Sequence, residues 1–269
     1  GASCRQELMG YLQHFLRGPP TVRRMLVVAL TDCALWQAPA EDAPWLAETV
    51  KQLSDSGLAL PCLLELLAVI PEEASNRKVV VTAQRRLTFA TSMLQHTGMV
   101  LEALWKASQA SEQCAIPALR ACAKWLHLQH ASPAMRAQKK AISSSGGGGV
   151  GSFSADIVKQ GVVQEHQLVK LAAQTLGNIR TAHVELCRAC ADLLSDALTL
   201  TNEATPQARA LLLMIVQAVV AGSQQLLPLT QAHLETWMSP ESELAARTAV
   251  LGRLVGELGG TFARLALAD

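Results

Sequence analysis

The stretch LPCLLELLAVIPEEASNRK, residues 60–78, decides how the rest of the chain is interpreted. Leucines recur through it at helical spacing, and the proline in second place suits the first turn of a helix. The pattern predicts a short helix from Pro61 to about Ile70 that breaks at Pro71, since proline removes a backbone donor. Acidic and then basic residues follow at once. Such a unit is typical of one helix in a stack of helices.

The composition favours helix throughout. Half of the residues are hydrophobic, yet there are only four Phe and one Tyr, while Leu and Ala are abundant. Unbranched and small side chains lose little rotamer freedom in a helix. Lys and Arg number 23 against 22 Asp and Glu, so no strong field attracts nucleic acid or an anionic membrane. We expect neither as a direct partner.

Three features bear on the cellular setting. The chain opens with GASCRQEL, with neither a start methionine nor a signal peptide, so we expect a piece of a longer protein. Its most apolar run, Ala210 to Gly222, is shorter than the roughly 20 residues that span a bilayer and predicts a helix buried on most sides. Seven cysteines lie scattered among aliphatic residues, which indicates reduced thiols in the cytosol or nucleus.

Several segments have an apolar face at three- and four-residue spacing, as amphipathic helices do. The predicted inward residues of the helix after Pro20 are Val22, Met25, Leu26, Ala29, Leu30 and Cys33. Those of the next helix are Trp45, Leu46, Thr49, Val50 and Leu53. One long helix is predicted with the stripe Leu87, Ala90, Leu94, Leu101 and Leu104, and another with Leu119, Cys122, Ala123 and Leu126.

A glycine-rich segment divides the chain. Four consecutive glycines in SSSGGGGVGSFS, residues 143–154, cannot hold a helix because each costs about 1 kcal/mol relative to Ala. We expect a flexible loop there. Beyond it helices are predicted at 156–177, 179–201, 205–222, 226–238 and 240–258. The predicted organisation is helical repeats over 1–142, the loop over 143–154, and further helical repeats over 155–269.

The period of the pattern defines the fold class. Paired helices recur at intervals of roughly 40 residues, which is the spacing of HEAT-type repeats. We therefore predict an all-α protein, an α-solenoid of HEAT-type helical hairpins. The repeats are unlike one another in sequence, so this prediction depends on period and amphipathicity.

The opening stretch also resembles a known family. LPCLLELLAVIPEE (60–73), followed by NRK (76–78) and QRR (84–86), is similar to a segment of the karyopherin-β nuclear transport receptors. The resemblance is closest to the branch that holds transportin-SR and importin-thirteen. ALRACAKWLHL (118–128) and VVALTDCALW (27–36) are similar to neighbouring helices of that branch. The likeness covers roughly residues 5 to 130.

The resemblance implies a protein that binds other proteins and catalyses nothing. Receptors of this family hold cargo on a helical superhelix, and the small GTPase Ran in its GTP form controls release or loading. The implied partners are protein cargo, nucleoporins and Ran, with at most part of the Ran-binding surface in this chain. The implied location is the nucleus and the cytoplasm, between which such receptors shuttle. No cofactor is implied.

One basic group is a candidate partner-binding surface. Arg77, Lys78, Arg85 and Arg86 surround a predicted helix start, where they can meet an acidic partner. The alternative is a solvated face whose charges pair locally with Glu72 or Glu73.

The cysteines and histidines are interpreted as structural or surface residues rather than as a site. Cys187 and Cys190 form a Cys-x-x-Cys, but within a helical pattern they are expected to pack as small hydrophobic residues. His127 and His130, near Cys114 and Cys122, are spread along one helix rather than closed into a zinc loop. We predict no catalytic or metal site from them.

The sequence pattern is compatible with two other classes of function. A HEAT-repeat scaffold that holds a multiprotein complex independently of Ran has the same sequence pattern. A helical enzyme using the cysteines or histidines is the third class. Ran-dependent binding separates the first two, and substitution of Cys187 or His127 separates the third, because a core residue affects stability alone.

Overall fold

A computed structural model describes residues 2–37, 45–54, 59–128, 167–199, 206–232 and 242–266. Within these ranges the chain is entirely helical apart from turns, and eleven α-helices are present. The predicted glycine-rich loop at 143–154 lies outside the described residues, as do His130 and the helix start predicted at 240. The chain divides into two compact units, Gly1–Phe153 and Ser154–Asp269.

The described residues of the first unit form seven helices. Their bounds are α1 (Ala2–His14), α2 (Pro20–Gln37), α3 (Trp45–Ser54), α4 (Leu60–Ser75), α5 (Ala83–Gln95), α6 (Thr97–Ala110) and α7 (Glu112–His127). Helix α1 packs on α2, α3 on α4, and α6 on α7, which gives three helical hairpins. Helix α4 packs between α2 and α7, and α3 contacts α6. The unit is therefore a short stack of hairpins in two layers, with α5 against α2, α4 and α6.

The second unit repeats this arrangement with two hairpins. Its helices are α8 (Gln167–Gly177), α9 (Val184–Thr199), α10 (Pro206–Ala232) and α11 (Glu243–Ala266). Helix α8 packs on α9 and α10 on α11, while α10 also lies against α8 and α11 against α9. Stacking of one hairpin on the next, layer on layer, is the construction of an α-solenoid. The predicted fold class is confirmed.

The residues predicted to face inward are all buried in α3 and α7, but in α2 only Leu30 of the six predicted residues is buried. All five residues predicted for α3 and all four predicted for α7 are buried. In α2 the buried residues are instead Val27, Leu30, Thr31, Ala34 and Leu35, and Met25 is 67% exposed. The prediction was wrong because apolar residues lie on several sides of α2, so spacing alone does not select the side that α4 covers.

Several predicted helix boundaries were also wrong, among them the start of α9, at Val184 rather than 179, and the end of α11, at Ala266 rather than 258. Helix α4 continues through Pro71 to Ser75. The long helix predicted across Leu87 to Leu104 is two helices, since the backbone of His96 (φ −95°, ψ 8°) leaves the helical conformation before Thr97 and Gly98, which are weak helix formers. Conversely, α10 is one helix from Pro206 to Ala232 and includes both Gly222 and Pro228, where the sequence predicted two.

Compensating contacts explain why α4 and α10 continue. Pro71 has no amide hydrogen for the carbonyl of Leu67, four residues earlier. The indole Nε1 of Trp125 in α7 donates to that carbonyl instead, at 2.7 Å, and Trp125 is fully buried. In α10, Gly222 lies against the end of α8, where an added Cβ would be 2.5 Å from the carbonyl oxygen of Leu176. Gly222 is thus a close-packing residue rather than a helix end.

One described helix is long and apolar enough to cross a membrane, judged by length and composition alone. It is the segment Ala208–Ala232 of α10, of which 39% is buried in the fold. Within the run Ala210 to Gly222 only Leu213, Gln217 and Val220 are exposed, so this part of α10 is covered on most sides, as expected. Leu213, Val220 and Leu227 are 58%, 49% and 58% exposed.

The cysteine pair lies in the core of the second unit. Cys187 and Cys190 are both fully buried in α9, as expected of cysteines that pack as apolar residues. Burial raises the pKa of the Cys190 thiol to about 12, so it is protonated and unreactive at neutral pH.

Candidate partner-binding surface

The four basic candidates lie where α4 ends and α5 begins. Helix α4 stops at Ser75, and Asn76 takes an extended conformation (φ −69°, ψ 106°) that turns the chain away. The Asn76 side chain holds this turn from both sides: Nδ2 donates to Glu73 Oε2 at 2.7 Å, and Oδ1 accepts from the Lys78 amide at 3.0 Å. The turn therefore projects Arg77 and Lys78 into solvent, where both are exposed.

Arg86 points inward from the first turn of α5. Its guanidinium donates to the carbonyl oxygens of Glu73 at 3.1 Å, Ala74 at 2.8 Å and Val79 at 2.8 Å. Two of these carbonyls belong to the last turn of α4, which carries the negative end of the helix dipole. The Glu73 carbonyl also accepts from the Asn76 amide, at 3.2 Å. Arg86 thus caps α4 and fixes the connecting turn, which places the other three basic residues.

Arg85 lies on the opposite side of the turn, beside α2. Its guanidinium carbon is 6.0 Å from the ring centroid of Trp36, within the range of a cation–π contact. Trp36 is 49% exposed, and Val80 in the same turn is 79% exposed. The sequence did not indicate these two apolar residues. A tryptophan at the polar edge of the α2 pattern was the signal that could have found Trp36.

Glu72 and Glu73 do not neutralise this basic group. The Glu72 carboxylate contacts Arg24 of α2 at 3.1 Å and Lys124 of α7, and so links three neighbouring helices. The Glu73 carboxylate takes its hydrogen bond from Asn76. Within the described part of the chain, Arg77, Lys78 and Arg85 have no acidic partner, whereas Arg86 is satisfied by carbonyls.

Two carboxyl groups, the half-buried Asp32 and the buried Glu73, lie beneath the turn. Burial and then the charge of Glu73 raise the pKa of the Asp32 carboxyl to about 6, against a smaller lowering by Arg86. Asp32 Oδ1 is shielded from solvent and accepts no hydrogen bond from any described residue, and Glu73 is only 8% exposed. A proton on Asp32 allows it to donate to Glu73, which joins α2 to the end of α4.

The other candidate ligands are not brought together into a site. Cys122 is buried in α7, while Cys114 and His127 are partly exposed on the same helix. Among the described residues no group of three or more His, Cys, Asp or Glu side chains is arranged to hold a metal ion. His130 lies outside the described ranges.

The surface that the geometry provides is defined by four residues, Trp36, Arg77, Lys78 and Arg85, and is called the basic turn surface below. It combines two exposed cations, Arg77 and Lys78, with the half-buried Arg85 and an exposed indole. A rigid support, Arg86 on the carbonyls of α4, holds it in place. Cations beside an apolar ring have the chemistry to bind anionic groups that lie next to apolar ones.

Comparison with known proteins relates part of the chain to a transportin. No family model matches the chain. Transportin MOS14 of Arabidopsis thaliana is 34% identical to it over 138 residues. The aligned region covers 48% of this chain and 14% of the plant protein, so the chain corresponds to a small part of that relative. Over about half of its length the chain is therefore similar to a transportin.

Proposed function

We propose that this chain is a segment of a karyopherin-β nuclear transport receptor of the transportin-SR and importin-thirteen branch. The observation that carries the proposal is the similarity to a protein named as a transportin. The stacked hairpins support it, because a solenoid offers an extended surface to a protein partner. The chain binds protein cargo and catalyses no reaction.

In this proposal Ran in its GTP form controls cargo release or loading, nucleoporins are further partners, and the protein moves between nucleus and cytoplasm. Control of this kind requires that Ran and cargo bind with a coupling free energy. The binding of one must weaken or strengthen the binding of the other. A scaffold that is independent of Ran has no such coupling.

The basic turn surface contributes to partner binding. Arg77 and Lys78 are exposed and Arg85 is half-buried. None of the three has an acidic partner among the described residues, so their charges are available to an acidic protein. Trp36 supplies apolar area beside them, and Trp and Arg are enriched among the residues that dominate interface energies. Arg86 acts by holding the turn rather than by touching the partner.

The test neutralises the three cations of the basic turn surface together, as Arg77→Gln, Lys78→Gln and Arg85→Gln. Proteins retained from nuclear extract on the immobilised chain are quantified by mass spectrometry over a series of salt concentrations. The matched control removes three exposed cations elsewhere in the first unit, as Arg17→Gln, Lys51→Gln and Lys106→Gln.

We expect the first variant to lose acidic proteins that the wild-type chain and the control retain. The losses should shrink at high salt, because salt screens exposed charges. Equal retention by all three proteins would show that the basic turn surface is a solvated face only. Circular dichroism of each variant establishes that the helices remain folded.

A further inference from the structure

The basic turn surface is assembled from two parts of the chain. Trp36 belongs to α2, whereas the three cations belong to the turn after α4 and to the first turn of α5. The surface is therefore complete only while the turn is held against α2. Asp32 lies four residues before Trp36, and at that spacing two side chains share one side of a helix. The groups around Asp32 thus decide how firmly the two parts are joined.

The Asp32 carboxyl joins α2 to the end of α4. It shares a hydrogen bond with the Glu73 carboxyl, although both groups are acidic. Its other oxygen, Oδ1, is shielded from solvent and has no partner among the described residues. Two carboxylates at this distance repel each other, whereas one proton between them forms a charge-assisted hydrogen bond. The contact therefore exists only while the pair holds a proton.

A chain of side-chain bonds leads from this pair to the turn. Glu73 Oε2 accepts from Asn76 Nδ2 at 2.7 Å. Asn76 Oδ1 in turn accepts from the Lys78 amide at 3.0 Å. Asn76 is the residue at which the chain leaves α4. Any displacement of the Glu73 carboxylate therefore reaches the residue that shapes the turn.

Arg86 is the cation that acts on this pair. Helix α2 packs on α1, α4 and α5. The charged groups that act on Asp32 are Glu73 from α4 and Arg86 from α5, and none comes from the described part of α1. The Arg86 guanidinium is bound to two carbonyls in the last turn of α4 and to the Val79 carbonyl. When both carboxyls are charged they compete with these carbonyls for Arg86, and loss of its bond to Val79 releases the turn.

We propose that the proton shared by Asp32 and Glu73 switches the basic turn surface between an ordered and an open state. With the proton in place, α2 and the end of α4 are joined and the turn is ordered. Without it the two carboxylates separate, Asn76 and Arg86 lose their positions, and the three cations no longer lie beside Trp36. The consequence of this switch for partner binding rests on the proposed function.

The transition lies between mildly acidic and neutral pH. Burial and the charge of Glu73 raise the pKa of Asp32 from 3.8 to about 6 in the ordered state. A carboxyl whose pKa is raised in one state favours that state at low pH and ceases to favour it as the pH rises through the raised pKa. Between pH 5 and pH 7.5 the equilibrium should therefore shift about tenfold toward the open turn.

The first experiment follows the turn itself, without any partner. Hydrogen–deuterium exchange of the whole 269-residue chain is measured by mass spectrometry between pH 5 and pH 7.5. The protection of peptides that cover 76–86 is corrected for the intrinsic exchange rate at each pH. We expect this protection to fall about tenfold as the pH rises across the range.

Two variants fix the proton switch in one state, and a third is the matched control. Asp32→Asn keeps a donor toward Glu73 at every pH, so protection of 76–86 should stay constant. Glu73→Gln removes the repulsion from the other helix and should flatten the pH dependence in the same way. Asp192→Asn makes the same change as Asp32→Asn in the second unit and should behave as wild type.

The second experiment measures anion binding with dextran sulfate, whose sulfate groups stay ionised across this range of pH. At pH 7.5 Asp32→Asn should bind up to about tenfold more tightly than wild type. It should also bind more tightly than Asp192→Asn, which has the same change of charge. At pH 5 wild type and Asp32→Asn should bind alike. The triple glutamine variant of the basic turn surface should bind weakly at both pH values.

The outcomes separate the switch from the function that it serves. Protection of 76–86 that is independent of pH in wild type, or that falls equally in Asp32→Asn, would overturn the switch. A pH-dependent turn with equal dextran sulfate binding by wild type and Asp32→Asn at pH 7.5 would overturn the control of binding by the turn. Undiminished binding by the triple glutamine variant would overturn the proposed binding role of the surface and leave the switch in place.

Discussion

At the scale of single residues, the most informative contact joins Trp125 to Leu67. The carbonyl of Leu67 lacks its helical donor because residue 71 is proline, and the buried indole supplies one at 2.7 Å. The sequence rule that proline ends a helix is a local rule. The compensating donor comes from a helix far along the chain, so the local pattern of residues 60–78 could not predict that α4 continues.

The first prediction is that Trp125→Phe costs about 1–3 kcal/mol of unfolding free energy beyond the loss of packing, because it leaves a buried carbonyl without a donor. Pro71→Ala restores a backbone amide to that carbonyl. In the Pro71→Ala background the cost of Trp125→Phe should therefore be smaller, as measured by urea unfolding in a double-mutant cycle. An equal cost in both backgrounds would contradict the assigned role. Trp36→Phe, at a half-exposed site, is the control.

The second prediction concerns Asp32, whose pKa is raised from 3.8 to about 6 by burial and by Glu73. The folded chain keeps this proton to higher pH than the unfolded chain, so the contribution of Asp32 to stability is full below about pH 4 and is lost as pH rises through about 6. Asp32→Asn keeps a donor toward Glu73 at every pH. The stability of the variant relative to wild type should therefore rise between pH 4 and pH 7.

Urea unfolding at several pH values measures this difference. Glu73→Gln provides the companion variant, because removal of its charge should bring the pKa of Asp32 back toward its ordinary value and flatten the same pH dependence. A wild-type chain whose stability relative to Asp32→Asn is independent of pH would show that the two carboxyls do not share a proton.

At the scale of helices, the apolar pattern predicted which segments are helical better than where each helix begins and ends. The inward faces of α3 and α7 followed from spacing because each has one apolar side. Helix α2 has several, and the neighbour that covers it decides which is buried. Helix α10 was predicted to end at Gly222, since glycine is common after helix ends. Its true role, close contact with the Leu176 carbonyl, depends on a helix that is distant in sequence.

The third prediction follows from that contact. Gly222→Ala places a Cβ 2.5 Å from the Leu176 carbonyl oxygen and 3.2 Å from Leu251 Cδ1, so backbone must move, and we expect a loss of about 1–3 kcal/mol in unfolding free energy. Gly10→Ala in α1, where an added Cβ meets nothing within 4 Å, should be neutral or stabilising by up to about 1 kcal/mol. Thermal unfolding of both variants gives the comparison, and equal effects would refute the packing role of Gly222.

At the scale of the whole molecule, period and composition were enough to predict an all-α solenoid, because repeated amphipathic hairpins can bury their faces only by stacking. The basic turn surface was predicted in part. Charge clustering identified Arg77, Lys78, Arg85 and Arg86, but it could not separate the residue that caps α4 from the three that belong to the basic turn surface. That distinction depends on which side of α5 meets the end of α4.

Control of partner binding by Ran is tested by a pull-down from nuclear extract with the native full-length protein that contains this sequence. It is performed with and without excess Ran locked in its GTP state, and with Ran in its GDP state as the control. The proposed function predicts that Ran-GTP changes the set of bound proteins: a loss of partners indicates an importer and a gain indicates an exporter. An identical set under all three conditions would contradict a transport receptor and favour a scaffold that is independent of Ran.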